Sequence, residues 1–215
     1  MKISKLAEVI FDIIYLTSVF IISLILLLKS NSFTATLYGL MGFTLLFGDS
    51  FHLVPRIINS FNDKYNNIDF YIGIGKMTAS ITMTVFYILL WHIGLIYFSL
   101  SLPASTIFIY LLSAFRIILC LFPGNKWIKG NASIKWSLLR NTPFFILGGI
   151  IIIFFFLNIS SYSVFNYMWL AILLSFLFYI PVTIFAKKYP KIGMLMLPKS
   201  CSYVWILLMG LYIIN

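Results

Sequence analysis

Seven long apolar segments run through this sequence, and they constrain its fold more than any other feature. Each is close to the roughly 20 residues that an α-helix needs to cross the hydrocarbon core of a bilayer. Their approximate ranges are 7–28, 34–56, 70–98, 103–122, 142–158, 165–186 and 193–213. The fifth is short and begins at Pro143, so its helix is expected to start in the preceding loop or to tilt little. The pattern predicts an all-α, polytopic integral membrane protein in which residues 1–215 form one bundle of about seven transmembrane helices.

The charge content supports this fold class. Only 9% of the residues are charged and 62% are hydrophobic, with a mean hydropathy of +1.05. A soluble domain usually carries about a quarter charged residues. The net charge of +10 would otherwise suggest nucleic acid, but the Lys and Arg residues lie in short loops between apolar segments, so no nucleic-acid partner is predicted. The first apolar segment lacks a following cleavage site and is interpreted as a retained span.

Basic residues in alternate loops predict the orientation. The N-terminus and the loops after spans two, four and six contain Lys2, Lys5, Lys64, Lys126, Lys129, Lys135, Arg140, Lys187, Lys188 and Lys191. The other loops carry Lys29 alone. This bias places the N-terminus in the cytoplasm and the C-terminus outside, in a plasma or bacterial inner membrane. Loop 124–141 mixes aromatic and aliphatic residues with four basic ones, which predicts an interfacial segment on the inner leaflet and leaves a lipid-specific site there open.

Several polar side chains lie inside the spans, where a charge is costly and therefore a functional hypothesis. They are Asp12, Asp49, His52, Arg56, Lys76, Arg116 and Lys199, and the predicted orientation places all of them in the cytoplasmic half. Arg56, Arg116 and Lys199 could each extend to the lipid head groups instead. Asp49 cannot, because it lies about 10 Å deeper than Arg56 at the helical rise. Its carboxyl group must be neutral, paired or in contact with water.

The stretch GDSFHLVPR, residues 48–56, concentrates this polarity on one helix. Asp49, His52 and Arg56 are spaced i+3 and i+4, so they share a face and His52 can hydrogen-bond Asp49. Lys76, Arg116 and Lys199 come from three other spans and could complete the cluster. One acid, one histidine and several cations suit an amphiphile with an anionic head and a tail in the bilayer. Membrane lipids are therefore the predicted partners.

Metal and cofactor chemistry is not predicted. The two histidines, His52 and His92, lie far apart in depth, and Cys120 and Cys201 occupy separate apolar segments. His92 is interpreted as an interfacial residue near the outer surface. Seven-span ceramidase and adiponectin-receptor type hydrolases need three histidines, including an HxxxH in the last span, which this sequence does not contain.

The third span interleaves small and hydroxyl residues, which favour close helix packing. They are Gly73, Gly75, Thr78, Ala79, Ser80, Thr82 and Thr84. The alternative is that one of the hydroxyl residues lines a pocket beside Lys76.

GDSFHLVPR resembles the GDxxxLxPR stretch of bacterial YhhN-type membrane proteins, the lysoplasmalogenase family. The following FYIGI, residues 70–74, is similar to the aromatic–x–x–G pattern that opens the next span in that family, and the likeness covers about residues 40–98. It implies hydrolysis of the vinyl ether bond of lysoplasmalogens, giving a fatty aldehyde and a glycerophospho head, with Asp49 as the catalytic acid. The other matching positions are Gly48, Leu53, Pro55 and Arg56.

This sequence departs from the family pattern in two respects. The family has eight spans, and it pairs its first Asp with a second acidic residue late in the chain. Here the last acidic residue is Asp69. His52, Asp12 or a polar residue on another span would have to replace the missing partner.

Two classes of function follow. In the first, the protein is a hydrolase of ether or vinyl-ether lysolipids, with Asp49 as acid and His52 as its orienting group or as the base for water. Its phosphate-binding cations would be Arg56, Lys76, Arg116 and Lys199. In the second, the protein is a non-enzymatic transporter or lipid-binding accessory protein, with Asp49 as a protonatable coupling group. The absence of a detectable repeat argues mildly against a transporter, and a retinal protein using Lys199 is a minor third possibility.

Overall fold

The computed structural model describes residues 3–29, 32–61, 67–128, 133–160, 163–186 and 188–214. These residues form helices and turns without a strand. The α-helices are α1 (Ile3–Leu28), α2 (Phe33–Phe61), α3 (Ile68–Tyr97), α4 (Pro103–Leu121), α5 (Ile134–Leu157), α6 (Met168–Phe185) and α7 (Met196–Gly210). Short 3-10 turns at Val164–Tyr167, Pro190–Leu195 and Leu211–Ile213 extend α6 and α7. With these extensions, seven helices among the described residues are long and apolar enough to cross a membrane, which confirms the predicted all-α polytopic class.

The fifth helix starts well before the predicted span 142–158. It begins at Ile134, where the hydroxyl of Ser133 accepts a hydrogen bond from the backbone N–H of Trp136 at 3.4 Å. Pro143 therefore lies inside α5, where its ring removes the usual hydrogen-bond donor to the Leu139 carbonyl. The second half of the predicted interfacial loop 124–141 is thus the beginning of a membrane-spanning helix. Residues 129–132 of that loop lie outside the described residues.

Consecutive helices pack against each other along the chain, and α7 returns to contact α1. The start of α1 and the ends of α2, α4 and α6 therefore share one end of the bundle. We call it the basic end, because its described residues include Lys5, Lys126, Lys135, Lys188 and Lys191. Lys2, Lys64, Lys129 and Lys187, which also support the predicted orientation, lie outside the described residues.

Glycines bring α2 and α3 into very close contact. A Cβ atom at Gly75 would fall on the carbonyl oxygen of Phe51 and against the Cα of His52, and one at Gly48 would fall on the Thr82 hydroxyl. The Phe51 carbonyl is available for this contact because residue 55 is a proline and cannot donate to it. The predicted packing role of the small residues in α3 is confirmed at Gly75. Gly48 and Pro55, which match the family stretch, both serve this interface.

Candidate functional site

Asp49 accepts a hydrogen bond from a buried tyrosine on α1. The Tyr15 hydroxyl donates to Asp49 Oδ2 at 2.6 Å, and Tyr15 is only 3% exposed. Asp12 lies one turn before Tyr15 on the same face of α1 and is also buried. Asp49 acts only weakly on Asp12, whose stronger electrostatic neighbours are Arg56 and Glu8. We call Asp12 and Asp49 the acidic pair, since they lie on neighbouring helices and both act electrostatically on the Tyr15 phenol.

His52 does not fulfil the expectation that it would hydrogen-bond Asp49. Among the hydrogen bonds between described residues, Asp49 receives one from Tyr15 and none from His52. The Nδ1 atom of His52 is buried and has no hydrogen-bond partner. At His52 the α2 backbone lies against Gly75 of α3, whereas the Asp49 carboxylate reaches α1. Residues spaced i+3 on α2 are near neighbours, but here they serve different helix contacts.

Lys199 and Arg116 point into the bundle rather than to the head groups. The ammonium of Lys199 lies 4.3 Å from the ring centre of Tyr179 and interacts electrostatically with Asp49. Arg116 is only 2% exposed. Its Nη1 donates to the Thr84 hydroxyl at 2.8 Å, and its guanidinium carbon lies 3.6 Å from the ring centre of Phe144. Burial excludes the alternative that these two cations extend to the membrane surface.

The other two predicted phosphate-binding cations lie outside this interior. Arg56 Nη2 is 3.5 Å from Glu8 Oε2, and these two side chains are 40% and 36% exposed. Lys76 is exposed on α3. Glu8 had no predicted role, although its i+4 spacing from Asp12 is a signal that both lie on one face of α1. Arg56 still interacts electrostatically with Asp12, so it lies at the rim of the acidic pair.

Hydroxyl groups connect the charged side chains across the bundle. The hydroxyls of Tyr87 and Ser175 lie 3.3 Å apart, and the Tyr203 hydroxyl lies near both of them. The Tyr179 hydroxyl donates to Asn141 Oδ1 at 3.1 Å. Sequence reasoning missed these tyrosines because Tyr is common in membrane proteins and the chain contains 13 of them. The available signal was spacing, since Tyr203 follows Lys199 by four residues, as Tyr15 follows Asp12 by three.

Together these side chains form a single polar region that every helix contributes to. We call it the buried polar cluster, and its members are Asp12, Tyr15, Asp49, Thr84, Tyr87, Arg116, Asn141, Ser175, Tyr179, Lys199 and Tyr203. Its charged members lie about four helical turns, roughly 20 Å, from the opposite end of their helices. The charged members of the cluster therefore lie in the half of the bundle nearer the basic end, whereas Thr84 and Tyr87 lie somewhat nearer the opposite end of α3.

The described residues contain no group of three His, Cys, Asp or Glu side chains arranged to hold a metal ion. Cys120 is buried and Cys201 is exposed, on different helices. His92 lies near the opposite end, where its Nε2 hydrogen-bonds the Tyr110 hydroxyl at 2.5 Å. The chemistry of the site thus comes from carboxylates, hydroxyls, an amide and two cations.

No protein-family model, curated protein or solved structure matches this chain. The resemblance of residues 48–56 to YhhN-type proteins stays a prediction.

Proposed function

We propose that this multi-pass membrane protein is a lysolipid hydrolase. It binds an amphiphile with an anionic head in the buried polar cluster and cleaves an ether or vinyl ether bond by acid catalysis at Asp49. The observation that carries the proposal is the 2.6 Å hydrogen bond from Tyr15 to the half-buried Asp49, inside an apolar bundle and within electrostatic reach of the buried Lys199. A carboxyl group held in this way has one oxygen fixed and the other available to a substrate.

The reaction requires a proton on carbon. A protonated Asp49 transfers its proton to the outer carbon of the vinyl ether, which leaves an oxocarbenium ion at the carbon attached to oxygen. Water adds to that carbon and loses a proton to a base, giving a hemiacetal. The hemiacetal breaks its carbon–oxygen bond to yield a fatty aldehyde and the hydroxyl group of the glycerophospho head. The Asp49 carboxylate left by the first step stabilises the positive charge of the ion.

Asp12 is the better candidate for the base that activates water. The acidic pair supplies a second carboxylate on the neighbouring helix, whereas His52 makes no hydrogen bond with Asp49. Two neighbouring carboxyl groups in different protonation states are a common arrangement for acid and base roles. Asp12 thereby takes the role of the late acidic residue that the resemblance implies and this chain lacks.

Lys199 and Arg116 would hold the head group, because they are the cations inside the bundle. Arg56 and Lys76, which are more exposed, would attract anionic lipids to the entrance. The hydrocarbon tail would lie among apolar side chains or in the bilayer.

The test is turnover of defined lipids by purified protein in detergent micelles. Lysoplasmalogen and an ester lysophospholipid are supplied, and aldehyde and free fatty acid are followed. We expect aldehyde from the wild type and a loss of about 10²–10⁴-fold in Asp49→Asn, the range that general acid catalysis contributes. Asp69→Asn, an exposed carboxylate at the start of α3, is the matched control and should leave turnover unchanged.

Asp12→Asn separates the two carboxylates. Loss of the base for water should also slow turnover by at least about 10²-fold. A wild type that releases neither product, or an Asp49→Asn variant as fast as the wild type, would end the hydrolase proposal.

A second candidate is a proton-coupled lipid transporter or a lipid-binding accessory protein without catalysis. The electrostatic interaction between Asp49 and Lys199 favours it, because an acid on α2 that acts on a buried base on α7 can couple proton binding to a change in helix contacts. Reconstituted vesicles carrying labelled lysolipid test it directly. Asp49-dependent movement of the intact lipid between leaflets, without release of product, would support this candidate over the hydrolase.

A further inference from the structure

Arg116 is a buried cation without a carboxylate partner. Among the described residues, the one ion pair within 4.0 Å joins Glu8 of α1 to Arg56 of α2, so it does not involve Arg116. The charged neighbour whose field reaches Arg116 is Lys199, which repels it. Its contacts are neutral: the Thr84 hydroxyl and the Phe144 ring.

These contacts leave the guanidinium incompletely satisfied. Its Nε is buried and has no hydrogen-bond partner. A buried charge with an unfilled donor is strongly unfavourable unless an opposite charge compensates it. One hydroxyl and one aromatic face compensate only part of that cost.

Further donors converge on the same place. Asn141 is 2% exposed, and its Nδ2 has no partner while its Oδ1 accepts from Tyr179. The hydrogen bond from Tyr179 therefore fixes the orientation of the amide and leaves its NH₂ group without a partner. Phe144, whose ring lies on the Arg116 guanidinium, follows Asn141 by one turn of α5, so both face α4.

Two more polar groups complete the set. The hydroxyl of Ser113, one turn before Arg116 on α4, is buried without a partner. The ammonium of Lys199 lies against the same Tyr179 that orients Asn141. The site thus combines two cations with N–H and O–H donors that have no partner, and the carboxylate that acts on it is Asp49, through Lys199.

We propose that Arg116, Asn141, Lys199 and Ser113 form a binding site for a phosphate group between α4, α5 and α7. A phosphate carries up to two negative charges and several acceptor oxygens, which match two cations and the unfilled N–H and O–H donors. The phosphate belongs either to the head of a single-chain lipid or to a free phosphate ion. The assignment of this phosphate to the head group of the substrate rests on the proposed function, whereas the existence of the binding site does not.

The test measures binding rather than turnover. Three probes are titrated into the purified protein in detergent by calorimetry: a monoacyl glycerol phosphate, the matching neutral monoacyl glycerol, and inorganic phosphate. The wild type should bind the phosphate lipid, and Arg116→Gln should weaken that binding about 10–100-fold, the range of a charged hydrogen bond. Lys29→Gln is the control, since it removes one positive charge from an exposed position at the opposite end and should change affinity less than about twofold.

Thermal unfolding without ligand distinguishes a binding role from a structural one. Removal of an uncompensated buried charge should leave the midpoint of ligand-free Arg116→Gln unchanged or higher. If that variant does not fold, Asn141→Leu decides the question, with an expected loss of affinity of about 3–10-fold.

The outcomes separate the two sources and the two proposals. Binding of the phosphate lipid but not of inorganic phosphate assigns the site to a lipid head, and equal binding of both assigns it to free phosphate. Arg116-dependent binding of the phosphate lipid, in the wild type and in Asp49→Asn, would support the site. If the wild type at the same time hydrolyses neither lipid, the site stands and the proposed function is rejected. Wild-type affinity in both Arg116→Gln and Asn141→Leu would overturn the site.

Discussion

The two halves of the bundle have interiors of different chemistry. Near the opposite end, aromatic rings from several helices pack on one another: Tyr38, Trp91, Tyr97, Phe98, Phe154, Phe155 and Phe165. We call this set the aromatic cluster. Nearer the basic end, the interior is instead the buried polar cluster, with Asp49 hydrogen-bonded to Tyr15 and with Arg116 and Lys199 buried.

The difference indicates which half mainly stabilises the fold and which half contains the candidate site. The aromatic cluster contains few groups that need a partner, so it can stabilise the fold by contact alone. The buried polar cluster retains buried donors without partners, at Arg116 and Asn141, which a purely structural core would avoid. Stability and function should therefore separate by position along the helices, and substitutions in each half can test that separation.

The largest effect on stability is expected in the aromatic cluster. Phe155 is 1% exposed and its ring lies 5.9 Å from that of Phe165. Phe155→Ala should lower the free energy of unfolding by about 2–4 kcal/mol, somewhat less than in a water-soluble core because the unfolded chain also lies in an apolar solvent. Thermal unfolding in detergent measures this, and Phe108→Ala, 51% exposed on α4, is the control. Equal midpoint shifts in the two variants would show that the aromatic cluster has no special role in stability.

A smaller loss is expected where α2 and α3 touch. An alanine methyl at Gly75 would meet backbone atoms of Phe51 and His52, which cannot rotate away. Gly75→Ala should cost about 1–3 kcal/mol despite the better helix propensity of alanine. At Gly149 a Cβ would meet nothing within 4 Å, so Gly149→Ala should be neutral or slightly stabilising. If both substitutions shift the unfolding midpoint equally, the close contact at Gly75 is not required.

At the acidic pair we expect an effect on the reaction rate rather than on stability. Tyr15→Phe removes the hydroxyl that fixes Asp49 Oδ2. We expect kcat/KM for lysoplasmalogen to fall about tenfold, the value of one hydrogen bond to a charged or acidic group. The unfolding midpoint should change much less than in Phe155→Ala. Tyr212→Phe, at a tyrosine that is 70% exposed, is the control, and an equal rate in both variants would exclude a positioning role for Tyr15.

The smallest effect is expected at the surface of the basic end. Glu8 and Arg56 form a partly exposed ion pair at 3.5 Å. Glu8→Gln should change the free energy of unfolding by less than about 0.5 kcal/mol, and salt should reduce even that difference. A destabilisation above about 1 kcal/mol at moderate salt would mean that the rim of the acidic pair contributes to the fold.

Much of the fold could be predicted from the sequence. The seven apolar segments and the all-α polytopic class follow from the length of apolar chain that a bilayer requires, and the helix bounds differ mainly at α5. The apolar segment begins near Pro143, and the expectation that its helix starts in the preceding loop is confirmed: α5 begins at Ile134, because a proline is accommodated inside a membrane helix and Ser133 caps the earlier start.

The candidate site was predicted only in part. Asp49, Arg116 and Lys199 were identified because charge inside a membrane span is visible in the sequence. Their partners were not, since Tyr15, Asn141 and Tyr179 are ordinary residues in an apolar helix. Arg56 and Lys76 had the same predicted role as Arg116 and Lys199, although of these four cations only Arg116 and Lys199 are buried in the bundle.

The sequence alone determined that the chain enters a membrane and at which depth its charges lie, because both depend on hydrophobicity and on the constant rise of a helix. Only the tertiary structure decided which charges meet. The rotation of each helix selects whether a side chain faces lipid, a neighbour or the interior, and that rotation is set by contacts such as Gly75 on Phe51. Those contacts bring Tyr15 rather than His52 to Asp49, and leave Arg116 buried without a counter-charge.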